Sequence, residues 1–158
     1  MITNLTQLKA VPVFQFKNLS KFSSIIHGIT TRAGGASEDN FDSLNLSLMV
    51  NDDAEKVKQN RNIVAEAFGV EPENLKIPRQ QHTNHVLKVE KGQRLDLSAD
   101  AFITQDKGLA LAVLLADCVP ILIYDKENHV IAAIHAGWRG TVANIKPNSC
   151  NTPQKKPE

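Results

Sequence analysis

Three side chains that can bind metals or act as nucleophiles stand at the ends of apolar runs: His82, Cys118 and His135. A strand end beside a tight turn is where a rigid scaffold presents a group to a cleft. Zinc takes imidazole and thiolate ligands, and a catalytic zinc commonly uses three protein ligands and keeps a fourth position for water. Two histidines and a cysteine suit that pattern, and a metal so held brings the pKa of its bound water toward neutrality. The wide gaps between the three match no short zinc-finger rule. A second reading needs no metal: Cys118 is a nucleophile and His135 its base, with the thiolate favoured by a nearby imidazolium. That scheme leaves His82 without a task. A third reading is an inert buried cysteine with two satisfied histidines.

The remaining candidates are weaker. His85 follows His82 closely and could support a ligand. His129 lies in a polar turn and reads as solvated, and His27 reads as core or as a support to a ligand. Arg32 and Arg139 both sit beside glycines in turns. The planar fork of an arginine suits phosphate or carboxylate. The amides of Gly34-Gly35 could add a small anion nest. They form no P-loop, because the Gly-Lys-Ser/Thr ending is absent.

The elements that must position these residues read as mostly β. Val11 to Phe16 and Ile25 to Thr31 carry strand signals, the latter ending in the Gly-rich turn Arg32 to Ser37. Leu44 to Leu48 reads as a short extended piece. Asn51 to Gly69 predicts a helix, capped by Asn51 or Asp52 and stopped at Gly69. Its inner face is Ala54, Val57, Arg61, Val64, Ala65 and Phe68, with Arg61 off-pattern. Short strands are expected at Ile77–Gln81, Val86–Glu90 and Ala99–Thr104. Leu109–Leu115 and Val119–Tyr124 are nearly continuous apolar runs, as central strands covered on both faces would be. Pro120 marks a strand start or an irregularity near Cys118. Val130–Ile134 is a further buried strand, followed by a strand-to-helix turn from His135 to Thr141. Lys146–Glu158, polar and interrupted by three prolines, reads as a disordered tail.

Composition bounds the function. The chain has 158 residues, 42% hydrophobic and 22% charged, which suits a globular protein with one real core. A net charge of +1, with the charges well mixed, makes nucleic acid an unfavoured partner. The first ten residues lack a signal peptide's basic cluster and apolar run. The longest apolar stretch, Gly108 to Ala116, is roughly half of a bilayer span. The expectation is a cytoplasmic protein with no membrane partner, a monomer or weak homodimer. A disulfide between Cys118 and Cys150 is disfavoured in a reducing cytosol.

Taken together, several segments resemble one known family. They are the run from His27 to Ser37, Leu44-Asn45-Leu46, Gln81-His82, Ala116-Asp117-Cys118-Val119-Pro120 and His135-Ala136-Gly137-Trp138-Arg139-Gly140. In order and local sequence they are similar to the polyphenol oxidase, or laccase-domain, family, understood as purine nucleoside phosphorylases. The resemblance covers about residues 10 to 144. It implies one zinc held by His82, Cys118 and His135, which would also be the catalytic residues. It implies phosphate-dependent cleavage of adenosine, inosine, guanosine or methylthioadenosine, with adenosine deaminase activity. The implied fold is α/β (α+β), a mixed-sheet sandwich with flanking helices related to toxin deamidases. Residues 1–145 would be a single domain and residues 146–158 a tail outside the family fold. Position alone puts Arg32 or Arg139 on phosphate and Asn45 near the nucleoside.

Two departures stand out. Thr83 and His85 occupy places where the family often has a glycine and an acidic residue. The family chain also continues past the Trp-Arg-Gly turn, so the fold is expected to be incomplete at its C-terminus. A metal-free cysteine hydrolase using Cys118 and His135, and an inactive binding fragment, are the rival readings. A copper oxidase fits least, because multicopper chemistry needs more than the five histidines present.

Overall fold

The computed structural model describes residues 2–93 and 98–145. The expected tail Lys146–Glu158, with Cys150, lies outside the described residues. The chain forms two compact units that divide after Leu75. The class is mixed α+β, with several sheets and few helices.

The first unit holds three antiparallel strands, β1 (Ile2–Leu8), β2 (Val11–Phe16) and β3 (Ile29–Thr30), with β2 in the middle. Val11 and Val13 alternate inward on β2 and are fully buried, the period of two that a half-covered strand requires. The sequence gives little warning of β1, because its only strong demand is to pair with β2. β3 is shorter than the expected Ile25–Thr31 strand.

Helix α1 (Ala54–Ala67) forms as the sequence predicts, but its N-cap is Asp53, whose carboxylate accepts the Glu55 amide. Asn51 or Asp52 was expected there. The Asp52 carboxylate is used elsewhere, accepting from Ser37 Oγ and Asn45 Nδ2. Gly69, at φ 70°, ends the helix, and the Val70 amide reaches back to the Ala65 carbonyl. Val64 and Ala67 pack with Val11, Val13 and Leu44 into one core. Burying a valine of this kind contributes about 1.5–3 kcal/mol. Arg61, the off-pattern residue, turns its guanidinium to the Leu46 carbonyl, and burial lowers its pKa.

The second unit is built on a four-stranded sheet in the order β5-β6-β9-β8. Its strands are β5 (Val86–Lys88), β6 (Ala101–Thr104), β8 (Val119–Asp125) and β9 (Val130–Ala136). β5 and β6 are parallel, and the other two pairings are antiparallel. The sheet is therefore mixed. The short strands β4 (Leu75–Lys76) and β7 (Ala110–Leu111) form a separate ladder. Helix α2 (Trp138–Val142) follows β9. Beyond it Ile145 turns back into a core with Ala101, Ile134 and Ala136. No helix among the described residues is long and apolar enough to cross a membrane.

Three strand expectations need correction. Ile77–Gln81 is not a strand; only Arg79 makes a bridge, to Ser98. Leu109–Leu115 is extended only over β7. Val119–Tyr124 does form β8, but at the sheet edge among the described residues, with Val119 60% exposed. The central, covered strands are β6 and β9. An apolar run reports a demand for burial and not which neighbour meets it. Pro120, which has no amide to give a ladder, suits an edge strand.

Candidate metal centre

The site is assembled at one end of the second unit's sheet by register. β6 and β9 pair Ala101 with Ile134, which brings the preceding Asp100 level with His135. The His135 amide donates to the Asp100 carbonyl at 2.7 Å. β8 and β9 pair Val119 with Ala136, which brings Cys118 level with Gly137. His82 enters from the loop before β5, with its backbone in the left-handed region at φ 57°.

One ligand atom from each of His82, Cys118 and His135 lies within 4.8 Å of the others. The two imidazoles meet edge to face, with centroids 4.8 Å apart. His135 is buried, Cys118 half-buried and His82 exposed, so the cluster opens to solvent on one side. This His-Cys-His group could hold a metal ion. Donors around a tetrahedral zinc stand roughly 3.3–3.6 Å apart, so the cluster needs only a small closure to wrap one.

Asp100 organises the histidines. It is fully buried, and its Oδ1 lies 2.8 Å from His135 Nδ1. In that arrangement the carboxylate accepts a hydrogen bond from Nδ1–H, and Nε2 keeps a lone pair for a metal. The same carboxylate accepts the backbone amides of Gln81, His82 and Thr83 and the Thr83 hydroxyl. Burial works against its charged form, but the bonds from Thr83, His135 and Gln81 outweigh it and hold the carboxyl below its usual range.

Two further residues shape the cluster. A Cβ on Gly137 would stand 2.9 Å from His82 Cδ2 and 3.4 Å from Cys118 Sγ, so only glycine leaves room for both side chains as placed. Gln80 clasps Leu114 from both sides, accepting its amide at 2.6 Å and donating to its carbonyl at 2.9 Å. The clasp fixes the irregular segment leading to Cys118. Sequence reasoning passed over Asp100, Gly137 and Gln80. Asp100 had a signal: a carboxylate inside the apolar run Ala99–Thr104 is a buried charge that needs partners.

The other candidates are placed as follows. Arg139 lies in α2, exposed, with its guanidinium 5.2 Å over the exposed Trp138 ring. Arg32 and Asn45 lie in the first unit. Arg32 is exposed and donates from Nε to the Asp42 carbonyl. The Asn45 side chain donates to Asp52 and accepts the Ser47 amide. Of the amides expected to form an anion nest at Gly34-Gly35, that of Gly35 donates to Ser43 Oγ, and the neighbouring Ala36 amide donates to Asn60 Oδ1. The His85 ring is exposed, and its carbonyl takes the amides of Asp100 and Ala101. His27 is core: Nε2 accepts the Phe16 amide, and burial lowers its pKa. His129 is an exposed turn residue with Nδ1 3.4 Å from Tyr124 Oη.

The chain is similar to known proteins in sequence and in fold. A purine nucleoside phosphorylase of Bacteroides thetaiotaomicron is 45% identical over 139 residues, 82% of this chain and 52% of its own. An adenosine deaminase, RL5, from an unknown prokaryotic organism is 34% identical over 78% of this chain and 52% of its own. The crystal structure of YlmD from Geobacillus stearothermophilus matches with a TM-score of 0.81 and 30% identity, over 92% of this chain and 56% of that one. The chain spans about half the length of the curated relatives it matches. Residues 26–158 match the family described as multi-copper polyphenol oxidoreductase laccase, and the chain belongs to that family.

Proposed function

We propose that the protein is a zinc-dependent purine nucleoside phosphorylase with adenosine deaminase activity. The observation that carries this reading is the His82–Cys118–His135 cluster, whose ligand atoms lie within 4.8 Å of one another. Relatives named for both activities support it. The donor set is the borderline-soft mixture of nitrogen and sulfur that zinc takes.

In this reading His82, Cys118 and His135 hold the zinc. The metal supplies Lewis acidity and a water of lowered pKa. Asp100 keeps His135 Nδ1 protonated and Nε2 free. Phosphorolysis breaks the bond between ribose C1′ and the purine nitrogen and forms a C1′–phosphate oxygen bond. The purine leaves with a proton on nitrogen. Arg139 or Arg32 is assigned to phosphate, and Asn45 to the nucleoside, by position in the sequence. Deamination replaces the 6-amino group of adenine with oxygen from water and releases ammonia.

A second reading has one observation in its favour. Cys118, His135 and Asp100 contain the elements of a nucleophile–base–carboxylate triad, with the base oriented through Nδ1. It would make the protein a metal-free cysteine hydrolase or deamidase, but it gives His82 no role.

The test is phosphate-dependent release of hypoxanthine from inosine by the full chain, with metal content measured on protein purified without added zinc. The expected result is near-stoichiometric zinc, activity in the wild type and none in Cys118→Ala. Absence of metal with a reactive Cys118 thiol would favour the cysteine reading. Bound zinc without turnover would mean a binding fragment.

A further inference from the structure

We propose that Asp100 is a positioning residue that sets the geometry of both histidine ligands, an inference that rests on the zinc reading of the site. Five donors reach its two oxygens. Oδ1 takes His135 Nδ1 at 2.8 Å and the His82 amide at 3.0 Å. Oδ2 takes the Thr83 amide at 2.7 Å, the Thr83 hydroxyl at 2.8 Å and the Gln81 amide at 3.2 Å. One carboxylate thereby ties the ring of one ligand to the backbone of the other.

The donor pattern accepts nothing but a carboxylate. An ionised Asp offers acceptors on both oxygens, whereas an amide of the same shape offers one acceptor and one NH2 donor. If an Asn placed its NH2 toward residues 81–83, it would face two amides and a hydroxyl that now donate. If it placed its NH2 toward His135, Nδ1 would have to accept, the ring proton would move to Nε2, and that nitrogen would be lost to the metal. Either orientation damages one histidine.

The backbone of His82 adds to the case. It lies at φ 57°, in the left-handed region that non-glycine residues rarely adopt. The three consecutive amides gathered by Asp100 hold that turn in place and aim the imidazole at Cys118 and His135. Thr83 contributes both its amide and its hydroxyl to the same carboxylate.

The experiment combines metal-free and metal-bound measurements on the full chain. In the apo wild type, nitrogen NMR of the imidazoles, assigned with single-histidine variants, should find neutral His135 as the Nδ1–H tautomer. In Asp100→Asn the tautomer should shift to Nε2–H or become mixed. Zinc affinity, read by competition with a chromophoric chelator, should fall about 10- to 100-fold. A wild-type His135 in the Nε2–H form overturns the proposal. So does an Asn variant that keeps both the tautomer and the affinity. If the variant does not fold, the wild-type tautomer decides alone. A wild type that takes up no zinc sinks the zinc reading, while the tautomer still reports whether Asp100 orients His135.

Discussion

Gly137 lies so close to His82 that a single methyl group between them would stand 2.9 Å from the imidazole Cδ2. The backbone of Gly137 is ordinary, at φ −70°, so an alanine there meets no conformational strain of its own. The ring of His82 must give way, because it is exposed and the sheet is not. Gly137→Ala should therefore weaken zinc binding by tenfold or more while moving the melting temperature little. Chelator competition and a thermal melt of the apo protein check the two halves. Equal affinity in the variant would show that His82 has room to spare.

Metal should stabilise the fold by mass action. Zinc held at about 100 times its dissociation constant adds about 2.7 kcal/mol if it binds only the folded chain. Denaturant unfolding with and without zinc should show that gap, and a chelator should abolish it. His82→Ala, which removes an exposed ligand, should erase the gap with little change in apo stability.

Asn60 should be the costliest polar residue to lose in the first unit. It is fully buried in α1, accepts the Ala36 amide, and donates to Ser37 Oγ and the carbonyls of Ser43 and Asn45. Asn60→Ala strands several of these groups, each costing about 1–3 kcal/mol when left unpaired. A loss on the order of 3 kcal/mol is expected by urea unfolding, and a loss below about 1 kcal/mol would mean that water replaces the side chain.

Asp52 gives the first unit an acid sensitivity. The Asn45 amide is the largest influence holding its carboxyl below the usual value, followed against it by burial and with it by Ser37, the Asp53 amide and Lys56. A carboxyl depressed in the folded state contributes stability above its unfolded pKa, about 3.9. That contribution is lost as pH falls through the lower folded value. Asp52→Asn should therefore flatten the acid limb of the stability profile below about pH 4, leaving the neutral limb parallel to wild type.

The sequence made the three clustered residues His82, Cys118 and His135 legible because each sits inside a distinctive local run. It made α1 legible too, since a helix writes its inner face at regular spacing: Val57, Val64 and Ala65 are buried as expected. What it hid was arrangement. β8 is as apolar as a central strand yet stands at the edge among the described residues, because the residues that decide coverage are distant in the chain. Which residues Asp100 and Gly137 would meet was hidden for the same reason: each acquires its neighbours only when β6, β8 and β9 fall into register. The Gly34-Gly35 amides misled in the opposite direction. Glycines there promise open N–H groups, but the Gly35 amide goes to Ser43 Oγ and the neighbouring Ala36 amide to Asn60 Oδ1.

That register also limits how the centre could be transplanted. Cys118, Gly137, His135 and Asp100 lie along the ends of three neighbouring strands, held there by the strand pairing and apolar packing further down the sheet. A peptide bearing the His135–Gly140 run carries one ligand of three and nothing to aim it. Grafting the centre into another scaffold would mean moving a three-strand end with its pairing offsets intact, together with the loop that brings His82. The portable unit is therefore a strip of sheet.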